Sequence, residues 1–288
     1  MYKSIVGLCC LLLTSMTPAF AVQNLVALST PAPPVIDGKI DDQWSRAQTV
    51  TVHDVVADID ITLRALHDAD RVYLLAQYKD STENRLHRAL VWNPGRKIYA
   101  EGPTREDCLV LKWSMVAHET TLTLKEDRPY RADIWFWKAH RTDHAGYADD
   151  KMQFYTSTRD KKAKLIISDS GKVFYLLRQS DNGEPAYQPR LLTKYISDIV
   201  PKYDFTIPTE SRADIRAKGL WQDGVWTIEF SRKLNTGHSD DVQFDLNGTY
   251  PFGVSRYEIA GRDLEPETET PLYGCGDVGE LIRLSFEK

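Results

Sequence analysis

The 288-residue sequence is poor in cysteine: Cys9, Cys10, Cys108 and Cys275 are the whole set. It has no Cys-x-x-Cys-His run and no cysteine cluster, which excludes a covalently attached haem and a cysteine-rich zinc or iron–sulfur site. Basic charge is also short, with 36 Lys and Arg against 41 Asp and Glu and a formal net charge of −5. Nucleic-acid binders carry the opposite excess gathered into patches, so that class is excluded. No apolar run reaches the roughly 18–20 residues of a membrane-spanning helix. His-Glu-x-x-His, a phosphate-cradling glycine loop and a Gly-x-Ser-x-Gly elbow are likewise missing, leaving little basis for an enzyme with its own catalytic site. What remains is a chain with 42% hydrophobic and 10% aromatic residues, enough to build a core.

The first 21 residues read as an address. Lys3 supplies positive charge, Ile5 to Leu13 is unbroken apolar chain, and Ala19-Phe20-Ala21 is a small-x-small cleavage site. This predicts a signal peptide cut after Ala21 and a secreted or periplasmic mature protein. Cys9 and Cys10 leave with it. Cys108 and Cys275 stay, in a compartment that permits a disulfide without requiring one.

The mature chain, residues 22–288, alternates apolar and polar residues with period two. Ile59, Ile61, Leu63 and Ala65 share one face, Val72, Leu74 and Ala76 another, and His67-Asp68-Ala69-Asp70 turns between them, which predicts a hairpin. Similar runs lie at 108–116, 131–137, 164–167, 172–178, 225–232, 242–246, 249–255 and 281–286. Many short strands joined by Gly, Asp and Asn turns predict an all-β fold: one antiparallel, immunoglobulin-like sandwich domain with long loops and little helix. Two stretches interrupt the pattern. Residues 80–105 read as a long loop, and 181–218, with Pro185, Pro189, Pro201 and Pro208, as an extended surface excursion.

The densest chemistry lies at 133–150. Asp133, Trp135 and Trp137 fall on one face of a strand and Ile134 and Phe136 on the other, so this strand is predicted to be central and covered on both sides. Lys138, Arg141, Asp143, Asp149 and Asp150 follow in what reads as a loop. Aromatics beside opposite charges can line a ligand crevice; they can equally be a tryptophan-rich core closed by a salt-bridged turn. His140 and His144, four apart but between a strand and Gly146, make a poor metal pair. The acidic pairs Asp41-Asp42, Asp149-Asp150 and Asp240-Asp241 stand at predicted turns, as solvated caps or as oxygen ligands of the kind calcium takes.

Particular segments resemble known families. The run from Pro34 to Trp44, with Ile36 opening a strand, Gly38 turning and Trp44 plugging the core, is similar to the opening of carbohydrate-binding-module-9-like sandwiches. Trp135-Phe136-Trp137-Lys138-Ala139, Gly146 to Asp150, Leu63 to Asp68, Val72 to Leu75, Glu106 to Trp113, Gly224 to Arg232 and Phe252-Gly253-Val254 resemble, in order, the haem-binding domain shared by the gamma subunit of ethylbenzene dehydrogenase and cytochrome c-552/dimethyl-sulfoxide-reductase-like proteins. The resemblance implies a non-covalent haem b against a sandwich, passing single electrons to a redox partner, a molybdenum enzyme or a cytochrome. It also implies a crevice lined by Trp113, Trp135 and Trp137, with Lys138 and Arg141 for the propionates. In the gamma subunit a Met and a Lys hold the iron. Here Lys112 occupies the expected Met position and Met115 lies three residues on. That odd offset places the two on opposite strand faces, so only one can face an iron. The second ligand is expected from residues 255–272, which contain no Lys, His or Met; Lys233 and His238 are substitutes by type. Either the ligand pair has changed or the fold has kept its shape without haem. Two other readings stand beside this one: a carbohydrate-binding module using Trp44, Trp92, Trp135 and Trp137 as platforms, and an interaction subunit that docks through 181–218.

Overall fold

The structure, a computed structural model, describes residues 22–288 except 55–57, 117–120, 258–277 and 279. The predicted signal peptide and Cys275, on which the open question of a Cys108–Cys275 disulfide depends, therefore lie outside the described residues.

Period-two patterning is satisfied by two packed sheets. One runs β10 (Lys164–Ile167), β11 (Val173–Ser180), β9 (Asp149–Thr156), β8 (Tyr130–Lys138), β7 (Cys108–Ser114), β17 (Tyr250–Tyr257), β18 (Ile282–Phe286). The other runs β3 (Ile59–His67), β4 (Arg71–Lys79), β16 (Val225–Lys233), β15 (Arg216–Gln222), with β2 (Val50–Asp54) also on β3. Strand β1 (Gln23–Ser29) belongs to both: Gln23–Ala27 pair with β18 and Leu28–Ser29 with β3, each time parallel. All other pairings are antiparallel among the described residues, and helix is confined there to three short 3-10 turns. The fold is the all-β sandwich that the alternation predicts, with β1 as its parallel exception.

The predicted hairpin forms, with Ile61 opposite Tyr78 and His67 opposite Val72. Several other expectations are corrected. Residues 80–105 are not a plain loop but carry a hairpin, β5 (Leu90–Asn93) with β6 (Ile98–Glu101), and 181–218 is not all extended surface chain: β12 (Tyr187–Pro189) pairs with β14 (Tyr203–Phe205), and β13 (Ile199–Val200) adds to β5. Residues 242–246 form no strand, because Val242 and Phe244 plug the main core from a loop instead of extending a ladder. Asp149 and Asp150 open strand β9 rather than standing in a turn. Ile36 opens no strand; it sits in a bend against the Trp44 cluster.

Gly38 and Trp44 behave as predicted. Trp44 is fully buried and its indole Nε1 donates to Glu229 Oε1 at 2.8 Å, while the Asp37 and Gly38 amides donate to Oε2 at 3.0 and 2.8 Å. Gly38 has φ +83°, and a Cβ there would lie 2.7 Å from the Leu220 amide nitrogen, so only glycine fits. Burial pushes the Glu229 carboxyl up to about 7 against the pull of those three donors.

The main core draws on both sheets. Leu109, Leu111, Trp113, Trp135 and Trp137 come from one, and Leu63, Leu74, Ile228 and Phe230 from the other. The opposite face of β7 and β8 is covered as well, by a second cluster of Val110, Leu122, Leu124, Tyr130, Ile134 and Tyr155. Strand β8 is therefore central and two-sided, as its aromatics on both faces required.

Candidate functional site

The sandwich forces the predicted site residues apart. On β7, Trp113 turns into the main core, where it stacks on Phe252 at 4.4 Å between centroids and meets Trp135 at 5.1 Å. Trp137 fills the same core beside Trp226; its Nε1 donates to Asp143 Oδ1 at 2.9 Å, and Gly219 lies against its ring where a Cβ would clash at 2.4 Å. Trp113, Trp135 and Trp137 have no accessible surface. They pack against protein on every side and line no open crevice.

Lys112 points the other way, into the second cluster. Its ammonium is buried and donates to the Leu122 carbonyl at 2.9 Å and the Tyr130 hydroxyl at 3.2 Å. Met115, one residue past β7, is half-buried against the main core, and its amide donates to the Arg131 carbonyl at 2.9 Å. The two are on opposite faces, as their odd spacing requires.

Lys138 and Arg141 lie at the far end of β8. Lys138 is buried against Asp149 and 3.3 Å from the Tyr187 hydroxyl. Arg141 is bound to Glu106, whose Oε2 also accepts the His140 and Arg141 amides at 2.7 and 2.9 Å. Cationic neighbours, Lys138 foremost, hold the Asp149 carboxyl far below the usual carboxylate range despite its burial, and burial pushes the Lys138 ammonium down. Arg141, His140, His144, Tyr187, Arg190, Tyr203 and Phe205 border a small pocket of about 200 Å³. Seven residues separate Arg131 from Lys138 along β8, roughly 23 Å at strand rise. Lys138 and Arg141 are thus not brought to Met115.

Met115 instead lines a cleft of about 640 Å³, together with Ser114, Val116, Arg131, Asp241, Val242, Tyr250, Pro251 and Arg283. A cavity of this size lies within the range of small-molecule and cofactor sites, about 300–1,000 Å³. It combines a thioether, apolar walls from Val242, Tyr250 and Pro251, and two guanidinium groups. Sequence reasoning missed Arg131 and Arg283. Arg283 was legible from its alternation with the core residues Ile282 and Leu284, whereas Arg131 shares the face of Asp133 and Trp135 and reaches the cleft only because it stands exposed near the start of β8. The expected second ligand segment, 255–272, lies mostly outside the described residues. His238 is already tied by Nδ1 to Asp214 Oδ2 at 2.6 Å, and Lys233 is exposed at the end of β16.

The profile of the ethylbenzene dehydrogenase family matches residues 41–263. The chain belongs to that family. No curated protein matches the chain. Among solved structures, this ethylbenzene dehydrogenase family member is similar to a family 9 carbohydrate-binding module from Caldicellulosiruptor kristjanssonii in complex with glucose, at 12% identity and a TM-score of 0.38, covering 91% of this chain and 96% of that one. The same module in complex with cellotriose gives 12% identity, a TM-score of 0.38, and coverage of 91% and 94%. Likeness at this level lends no support to a sugar site here. Burial of Trp44, Trp135 and Trp137 removes three of the four predicted sugar platforms, and Trp92 is itself packed between Tyr99 and Tyr195.

Proposed function

We propose that the chain is an exported haem b-binding electron-transfer subunit of a molybdenum-dehydrogenase-type complex, without a catalytic site of its own. The observation that carries this reading is the cleft at Met115, where a thioether stands at the edge of a cofactor-sized space that also holds Arg131 and Arg283. Those residues fit the group in part: Met115 would supply one ligand to the iron, the two arginines would partner its carboxylates, and Val242, Tyr250 and Pro251 would be apolar walls. Bound there, the group would accept and return one electron at a time. The chain's own contribution is a polarizable sulfur, which favours the reduced iron, and a setting that keeps the propionates charged. Family membership supports the partnership with a dehydrogenase, and the leader pattern of residues 1–21 supports export.

The test is a visible spectrum of the mature protein after haemin addition. A Soret band with low-spin features is expected. Met115→Ala is expected to abolish the low-spin character, whereas Lys112→Met, on the other face, leaves the band positions unchanged. A colourless preparation that is folded by circular dichroism would overturn the haem reading.

A haem-free interaction subunit is the second reading, and the segment predicted as a surface excursion favours it. Leu191 is 91% exposed and Ile207 76%, with Ile196, Ile199 and Phe205 also exposed nearby. Apolar exposure gathered on one segment marks a docking surface. Replacing Leu191 and Ile207 by Asp is expected to abolish co-purification with the partner dehydrogenase while the chain stays folded by circular dichroism. Retention of the partner by that variant would overturn this reading.

A further inference from the structure

Strand β9 points an acid inward. Asp150 is paired across the ladder with Trp135, so its carboxyl shares the core-facing side, and it is fully buried. Asp133, two residues before Trp135 on β8, faces the same way, and Asp241 enters from the loop after β16. One carboxylate oxygen from each of these three acids lies within 4.8 Å of the others, and all three residues are more than nine-tenths buried.

Among the described residues, one cation is bonded to them. Arg232, also without accessible surface, donates to Asp133 Oδ2 at 2.6 Å and to the Val242 carbonyl, and the Val242 amide donates to the same Asp133 oxygen at 3.0 Å. Its guanidinium stands 3.5 Å from Asp241 Oδ1 without making a hydrogen bond. Neither carboxylate oxygen of Asp150 has a hydrogen-bond partner, nor does either oxygen of Asp241. Three carboxyls against one guanidinium, in a water-poor interior, leave more acid than the protein's own cation neutralises, so protons or a further cation must make up the difference. Asp181 stands at the rim, where Lys151 offsets part of its charge.

We propose that Asp133, Asp150 and Asp241 form a structural site for one calcium ion, bordered by the floor of the Met115 cleft, which Asp241 and Val242 line. The donor set is oxygen only, which suits a hard cation and offers zinc neither nitrogen nor sulfur. Magnesium keeps several of its waters and is rarely held by an all-protein cage, whereas calcium takes six to eight oxygens in flexible geometry, which a buried set of carboxylates suits better. The ion would restore the missing charge and satisfy carboxylate oxygens that are left without a hydrogen-bond donor. It would also lock β8, β9 and the 234–249 loop to one another, fixing one wall of the cleft. The neighbouring Asp214 and His238 also stand within reach of Asp241, but they are half-buried and already bound to each other, Nδ1 to Oδ2 at 2.6 Å.

The experiment uses the haem-free mature chain, so its outcome is independent of the haem reading. After chelation and desalting, calcium chloride is expected to raise Tm by about 5–10 °C at a hundredfold excess over Kd. Terbium added to the chelated protein is expected to luminesce on tryptophan excitation, because Trp135 adjoins the acids, and calcium is expected to quench that signal competitively. Asp150→Asn should fold without calcium and lose both responses. No Tm shift and no terbium signal from the wild-type chain would overturn the site. An unchanged response in Asp150→Asn would place the ion elsewhere, and an equal shift with magnesium would overturn the assignment to calcium.

Discussion

Replacing Arg256 by Leu is expected to destabilise the protein by about 3–5 kcal/mol, measured as a fall in ΔG of unfolding in urea. Arg256 has no accessible surface; its guanidinium contacts Asp80 and lies 3.1 Å from Asp107 Oδ1, and its backbone amide donates to Asp54 Oδ2. The three acids come from the end of β2, the turn after β4 and the entry to β7, so one side chain on β17 ties both sheets together. Asp107 is further held by the Asn84 amide at 2.8 Å and the Trp226 indole at 3.1 Å. Burial and the Asp80 carboxylate push its carboxyl up to about 7, Arg256 opposing them. Removing the arginine strands two buried carboxylates whose solvation cannot be recovered. Adding Asp80→Asn and Asp107→Asn to the same variant is expected to return a large part of the loss, because the penalty is that of unpaired charge rather than lost packing. A single-variant loss below about 1 kcal/mol would show that water reaches the cluster.

Trp113→Ala is expected to cost about 3–5 kcal/mol in the haem-free protein, the range for deleting a buried large aromatic. Trp113 touches Trp135, Phe244 and Phe252 and has no exposed surface. Met115→Ala in the same haem-free protein is expected to cost about 1 kcal/mol, because Met115 is only half-buried at the cleft edge. The contrast separates two roles that neighbouring positions on one segment could be mistaken for sharing: a tryptophan that fills the core and a thioether available to a ligand. Equal losses would mean that Met115 is core and that the cleft is a packing defect.

The fold was largely legible in the primary structure. Period-two alternation placed the β3–β4 hairpin, β7, β8, β10, β11, β16 and β18, because a sheet with a buried face needs that period. Large groups on both faces of Ile134 to Trp137 marked a strand covered on both sides. The misses have a common cause. Strand β9 opens on Asp149-Asp150-Lys151 and so reads as a turn, while the strands of the 90–101 hairpin are only four residues each around an Asn93-Pro94-Gly95 turn; neither carries enough pattern of its own, and their pairing is decided by neighbouring strands. Val242 and Phe244 alternate like a strand, yet a loop delivers them to the core.

The candidate site divides the same way. Composition and spacing determined by themselves that cysteine chemistry was excluded, that Lys112 and Met115 face opposite sides, and that tryptophans crowd the central strand. Only the tertiary structure decided that the tryptophans fill the core, that Lys138 and Arg141 stand at the wrong end of β8 for Met115, and that Arg131 and Arg283 meet it instead. It also decided that Asp133, Asp150 and Asp241, spread over more than a hundred positions, converge in one buried place. The reason is physical: alternation fixes which side of a strand a residue takes, a local property, whereas what waits on that side depends on which strands lie adjacent and how two sheets stack, which no short window of sequence contains.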